Sequence, residues 1–294
     1  MYLPDVEVHE AHSLKEASSL LAHHAPNARL LAGGTDLLVD LKTGRLRSDH
    51  LVSIGRIESL RGVTRTDGQL RIGALTTITQ LHRSEALGDC FGPIRDATGR
   101  MAAEQIRNMA TVGGNLSSAV PCADLPPILM VMSASVVLWS PDDERTVSLD
   151  SFFIGPRRTV RRDDEVLTVV LVPDPPRGSG AAYARFALRE GNAIAVAAVA
   201  ASLRLDADDT VRAARIALGA VSPIPKLVPA AAGALVGKPL NDDNITAAAT
   251  AAMEAAEPIS DVRGSAEFRR EIVGVLAGRA LRLAARRVGK TRTA

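Results

Sequence analysis

Two glycine pairs eighty residues apart constrain this chain more than any other feature. One lies in Ala32-Gly33-Gly34-Thr35-Asp36, the other in Thr111-Val112-Gly113-Gly114-Asn115. Each follows an apolar or irregular stretch and leads toward a helix. Without a Cβ the backbone turns tightly and can leave its N–H groups unshielded. A dinucleotide pyrophosphate is a compact dianion that takes several such donors at once. Two separated turns can hold it from both sides without a lysine, which suggests a flavin dinucleotide. The single-loop nucleotide patterns do not fit. Gly33-Gly34-Thr35-Asp36-Leu37-Leu38 lacks the third glycine of the Rossmann fingerprint, and no Gly-Lys-Ser/Thr follows.

The elements around the turns read as α+β. Ser13 caps a helix to Leu21, with Glu16 at its third position. Ala28 to Ala32 is a short strand, and Thr35 or Asp36 caps the helix that carries Leu37, Leu38 and Leu41. His50 to Ile54 is a strand, and Asp67-Gly68 joins a hairpin. Gly92 to Ala103 reads as a helix, and Gln105 to Pro127 as a long irregular stretch. Such a stretch in a compact domain is usually functional. A helix follows near Ile128 to Met132, and Ser135 to Trp139 and Val166 to Val172 are strands. Pro173 to Gly180 is the clearest boundary. Beyond it come three strands, Tyr183 to Leu188, Ala195 to Leu205 and Val211 to Gly219. Helices follow near Val228 to Val236, Asp242 to Ala256 and Ser265 to Arg287. This gives a unit over 1–175, split near 55–60, and a small three-stranded antiparallel unit with helices over 180–288.

Composition removes several functions. With 294 residues the chain is long enough for roughly two domains. A net charge of +2 and 3% aromatic residues argue against a nucleic-acid surface. The basic last turn, Arg282, Arg286, Arg287, Lys290 and Arg292, reads as a solvated helix end. Cys90 and Cys122 alone make neither a disulfide framework nor a metal cluster. The first residues lack the apolar core of a signal peptide, and no run reaches the roughly 18 apolar residues of a membrane span. The expected compartment is the cytoplasm. The six histidines sit in helical or strand contexts without metal spacing. No nucleophile–base pair stands out, so no catalytic residue is expected.

Each remaining candidate has an ordinary alternative. Asp36 and Asp124 could be helix caps, the latter before Leu125-Pro126-Pro127. Thr35 and Thr111 could donate to phosphate oxygens or cap helices. Asn115 could reach a phosphate or the ribityl chain, or brace its own loop.

Together these residues resemble the flavin-binding medium subunit of the molybdenum hydroxylase family, which includes the carbon monoxide and xanthine dehydrogenases. The resemblance covers nearly the whole chain. It rests on Ala32 to Leu38, Gln105-Ile106-Arg107-Asn108 running into Ala110 to Asn115, Pro121 to Pro127, and Asp261 to Arg270. It implies a two-part FAD-binding domain of the vanillyl-alcohol-oxidase (PCMH) type, followed by the small flavin-subunit domain. It implies a cofactor site from Arg29, Leu30, Leu31, Ala32, Gly33, Gly34, Thr35, Asp36 and Leu37, met by Ala110, Thr111, Gly113, Gly114 and Asn115. Ser118 and Asp124 match positions near the ribityl chain, and Val166, Leu167 and Arg185 positions near the flavin ring. Where carbon monoxide dehydrogenase-like subunits carry a tyrosine over the flavin face, this chain has Ile194. The cysteine-rich insertion of hydroxybenzoyl-CoA reductase is absent. The implied role is electron transfer. A large partner would carry a molybdenum cofactor and a small partner two 2Fe-2S clusters, with an external acceptor and a dimer of heterotrimers. A stand-alone FAD-dependent reductase of related fold is the alternative.

Overall fold

The computed structural model describes residues 2–292. The chain opens with β1 (Glu7–Glu10), α1 (Leu14–His23), β2 (Ala28–Leu31), α2 (Leu37–Lys42) and β3 (His50–Ser53). The three strands form a parallel sheet in the order β1-β3-β2. The Ser13 hydroxyl accepts from the Glu16 N–H, fixing the start of α1. β1 is an addition to the sequence reading. It lies at the sheet edge and is mostly exposed, so it carries no alternation of apolar residues.

A second sheet follows. β4 (Val63–Thr66) and β5 (Gln69–Gly73) form the expected hairpin, with Asp67 and Gly68 at φ 54° and 73°. These are the left-handed angles such a two-residue turn requires. Then come α3 (Ile78–Arg83), α4 (Ile94–Thr98), α5 (Glu104–Arg107), α6 (Val112–Ser117) and α7 (Leu125–Val131). The helix expected over Gly92 to Ala103 is only one turn and a half, because Gly99 ends it and Ala102 turns left-handed. The stretch read as irregular holds α5 and α6, each too brief to show a period, and the start of α7, the helix expected near Ile128 to Met132. β6 (Ser135–Trp139), β7 (Glu144–Ser148), the two-residue pair of β8 (Phe153–Gly155) with β9 (Arg158–Thr159), and β10 (Val166–Pro173) complete this half. The main sheet runs β4-β5-β10-β6-β7, all antiparallel.

The last sheet holds β11 (Ser179–Phe186), β12 (Ala197–Leu205), β13 (Val211–Gly219) and β14 (Lys226–Leu227). The three long antiparallel strands match expectation. β14 adds a fourth, hidden in sequence by Pro223 and Pro225 just before it. α8 (Pro229–Gly233), α9 (Asp242–Glu254) and α10 (Ala266–Arg292) cover this sheet, and α9 and α10 share its apolar core.

α7 is the keystone between the halves. All seven of its residues are buried. Its core also contains Ala181, Tyr183, Ala198, Ala200 and Ala217 of the C-terminal sheet. Each large apolar side chain so buried contributes roughly 1.5–3 kcal/mol. The carbonyls of Met130 and Val131 at its end accept from Arg215 and Ser202. The basic end of α10 also differs from expectation. Arg287 is not a solvated charge but donates to both carboxylate oxygens of Asp96, at 2.6 and 2.9 Å. The side chains of Lys290 and Arg292 lie outside the described residues.

Candidate functional site

The first glycine turn joins β2 to α2. Gly34 has φ +70°, which an L side chain resists. A Cβ on Gly33 would overlap the carbonyl oxygen of Met109. The two glycine segments therefore touch, backbone to backbone, although eighty residues separate them. The N–H groups of Gly33, Gly34, Thr35 and Asp36 make no hydrogen bond among the described residues. That is four donors in a row beside the second segment, a fitting cradle for an anion. Asp36 occupies the cap position of α2, but its side chain makes no cap hydrogen bond and is exposed. The cap alternative fails there.

The second turn works differently from the sequence reading. The Gly113 N–H donates to the Ala74 carbonyl at 2.8 Å, and the Gly114 N–H to Thr111 Oγ1 at 3.1 Å. Neither N–H is open. Thr111 is a helix cap, and a Cβ on Gly113 would come within 2.7 Å of the Ala74 Cβ. Here glycine serves close packing of α6 against the strand-end backbone. The polar group on offer is Asn115 instead. Its Oδ1 is buried and has no hydrogen-bond partner. A buried amide oxygen without a partner costs roughly 1–3 kcal/mol, so the site fits a ligand that supplies one. Ser118 Oγ donates to the Asn115 carbonyl and closes the turn.

Asp124 also escapes its cap role. It stands at the cap of α7 without a cap bond and faces β11. It accepts from the Tyr183 hydroxyl at 2.6 Å and from Arg185 Nη1 at 3.0 and 3.1 Å. The Asp124 and Arg185 side chains are 8% and 3% exposed. Burial pushes the Asp124 carboxyl up from its ordinary value, while Arg185 and Tyr183 pull it back. Burial, reinforced by Asp124, pushes the Tyr183 phenol well up, so it remains a donor. Arg185 Nη2 donates to the Ala193 carbonyl, holding the loop on which Ile194 stands 56% exposed. The Cys122 thiol is pushed up by burial and then by Asp124, and it also senses Asp36.

Other expected site residues sit as follows. Leu30, Leu31, Ala32, Leu37 and Ala110 are half-buried around the two turns. Val166 shares an apolar cluster with Leu30 and Ala32, and Leu167 one with Val112 and Leu116. β10 thus begins between the clusters behind the turns, with both side chains consumed by core. Arg29 is turned away from the turn. Its Nη1 donates to the Pro26 and Ala28 carbonyls. The sequence reading missed Tyr183, whose spacing of two from Arg185 on one strand face was the available signal. It also read the histidines as unrelated. His9, His24 and His50 in fact lie together.

Two glycine segments in backbone contact, an unpaired row of N–H groups and an unpartnered buried amide together form a site that fits a dinucleotide. A model described as the FAD binding domain in molybdopterin dehydrogenase matches residues 4–175, and one described as the CO dehydrogenase flavoprotein C-terminal domain matches residues 181–284. The carbon monoxide dehydrogenase medium chain of Hydrogenophaga pseudoflava is 34% identical over 97% of this chain and 98% of its own length. The xanthine dehydrogenase FAD-binding subunit of Escherichia coli O157:H7 is 34% identical over 90% of this chain and 91% of its own. Among solved structures, carbon monoxide dehydrogenase from Hydrogenophaga pseudoflava superposes with a TM-score of 0.94, covering 98% of this chain and 99% of that one. Quinoline 2-oxidoreductase from Pseudomonas putida 86 does so with 0.90 at 29% identity, covering 97% and 99%. The chain belongs to the family of FAD-binding subunits of the molybdopterin dehydrogenases.

Proposed function

We propose that this chain is the FAD-binding, electron-transferring subunit of a heteromeric molybdenum hydroxylase. One observation carries the cofactor assignment. The four unpaired N–H groups of Gly33 to Asp36 lie beside a segment that ends in an unpartnered buried Asn115 Oδ1. FAD, when bound, supplies one- and two-electron transfer. The chain's own residues hold and shield it. Gly33, Gly34, Thr35 and Asp36 offer N–H groups to the pyrophosphate, and Asn115 offers its amide. Arg185, fixed by Asp124, holds the 189–195 loop so that Ile194 can present an aliphatic face to the flavin ring. Thr111, Gly113, Gly114 and Ser118 shape the second turn.

The units 1–175 and 180–288 act as cofactor domain and flavin-subunit domain. Substrate oxidation belongs to a large partner with a molybdenum cofactor. A small partner with two 2Fe-2S clusters delivers the electrons, and an external acceptor takes them. We place the assembly, a dimer of heterotrimers, in the cytoplasm. Support comes from family membership over nearly the full length and from two free thiols. The test is co-purification of the untagged chain from its native host. One FAD per chain and a molybdenum-containing large partner are expected. A monomer that is fully active alone would point to a stand-alone reductase, and a chain that refuses FAD would remove the assignment.

A further inference from the structure

His9, His24 and His50 come from three separate segments. His9 lies on β1, His24 caps the end of α1, and His50 begins β3. The parallel pairing of β1 with β3 sets Glu7 beside His50 and His9 beside Val52. The donor atoms of the three rings all lie within 4.8 Å of one another. His9 Nε2 is 3.2 Å from His50 Nδ1. The His24 ring stacks on His50 at 3.8 Å and on His9 at 4.7 Å. The Glu7 carboxylate is 3.4 Å from His50 Nδ1 and 3.8 Å from His9 Nε2. All three rings are half-buried, and the His24 ring makes no hydrogen bond. Among the described residues this is the one such group of potential metal ligands.

We propose that His9, His24 and His50, with Glu7 as fourth ligand, bind a zinc-class transition-metal dication. Three imidazoles and a carboxylate match the ligand preference of that class. With zinc–nitrogen bonds of about 2.05 Å, tetrahedral donors stand about 3.3 Å apart. The His9–His50 pair already has that separation. The third ring closes the set by swinging its donor roughly 1.5 Å inward. Metal binding also accounts for three rings crowded together, which would repel one another if protonated. Neutral imidazole is the ligating form. The ion would clip an exposed edge strand to the end of α1 and to the strand that pairs with β2. This inference does not depend on FAD.

The test is calorimetric titration of the untagged, chelator-treated full chain with ZnCl2, with thermal unfolding in parallel. One Zn2+ per chain is expected, with a midpoint rise of roughly 5 °C at saturation. His24→Gln and His50→Gln should each weaken binding about 100-fold or more and abolish the rise. FAD content should stay unchanged in both variants. His82→Gln, outside the cluster, should leave the titration unaltered. No stoichiometric Zn2+ binding by the wild-type chain would overturn the proposal. Binding that survives both His24→Gln and His50→Gln would do the same.

Discussion

Removing Arg185 should be the most informative perturbation of the seam between the two halves. Arg185→Met keeps the length and the apolar stem but strands the Asp124 carboxylate, 8% exposed, beside Tyr183 alone. Breaking a buried pair by removing one partner costs about 3–5 kcal/mol. For a chain of this size that is a fall in melting temperature of roughly 10 °C. The deficit should depend on pH, with a sign that follows from linkage. Burial already raises the Asp124 carboxyl above its ordinary value, and Arg185 is the largest opposing influence. Without Arg185 the folded-state value rises further. The folded variant then binds more protons than the unfolded chain, and its stability falls as pH rises through that value. The gap from wild type should therefore widen as pH rises above the ordinary carboxylate range. Asp124→Asn in the Arg185→Met background should recover part of the loss, since no charge is left unpaired. Calorimetric melting of wild type, Arg185→Met, Asp124→Asn and the double variant across this pH range gives both the coupling and its sign. A deficit under about 2 °C, or one that narrows as pH rises, would refute the reasoning.

Three further outcomes are expected. Gly33→Ala drives a Cβ into the Met109 carbonyl, so FAD content should collapse and stability fall by about 1–3 kcal/mol; Gly191→Ala, with open space around it, is the control that should change neither. Asn115→Leu removes the unpartnered buried oxygen, so flavin absorbance of the purified chain should drop while the apo-protein melts no lower than wild type; unchanged flavin retention would contradict its role. For Glu165 burial alone would raise the carboxyl, but Arg145 and the Arg162 N–H more than reverse this, leaving it below its ordinary value. The stability that Glu165 adds over Glu165→Gln is thus present above the unfolded carboxylate value and disappears as pH falls through the lower folded one, which acid titration of the two melting curves would reveal.

Much of the fold was legible because its signals are local. Ser13 and Glu16 announce the first helix, Asp67-Gly68 the hairpin, and the long strands after Pro173 the last sheet. β1 was not legible, since an exposed parallel edge strand needs no apolar pattern. The helices α5 and α6 were hidden by length, as a helix of four to six residues shows no full period, whereas the helix read near Ile128 to Met132 is the end of α7.

The site divides along the same line. Sequence by itself determined where glycine is required, because a missing Cβ is a property of the residue. It also named Asn115, Asp124 and Arg185. Only the tertiary structure decided which groups are open. It engaged the N–H groups of Gly113 and Gly114 inside the fold and left those of Gly33 to Asp36 without partners. It made Asp124 the partner of residues 59 and 61 positions away rather than a cap. It also gathered three histidines spaced 15 and 26 residues apart. The physical reason is common to all three. Hydrogen-bond satisfaction, burial and charge are set by what the rest of the chain brings alongside, and no spacing along the chain carries that information.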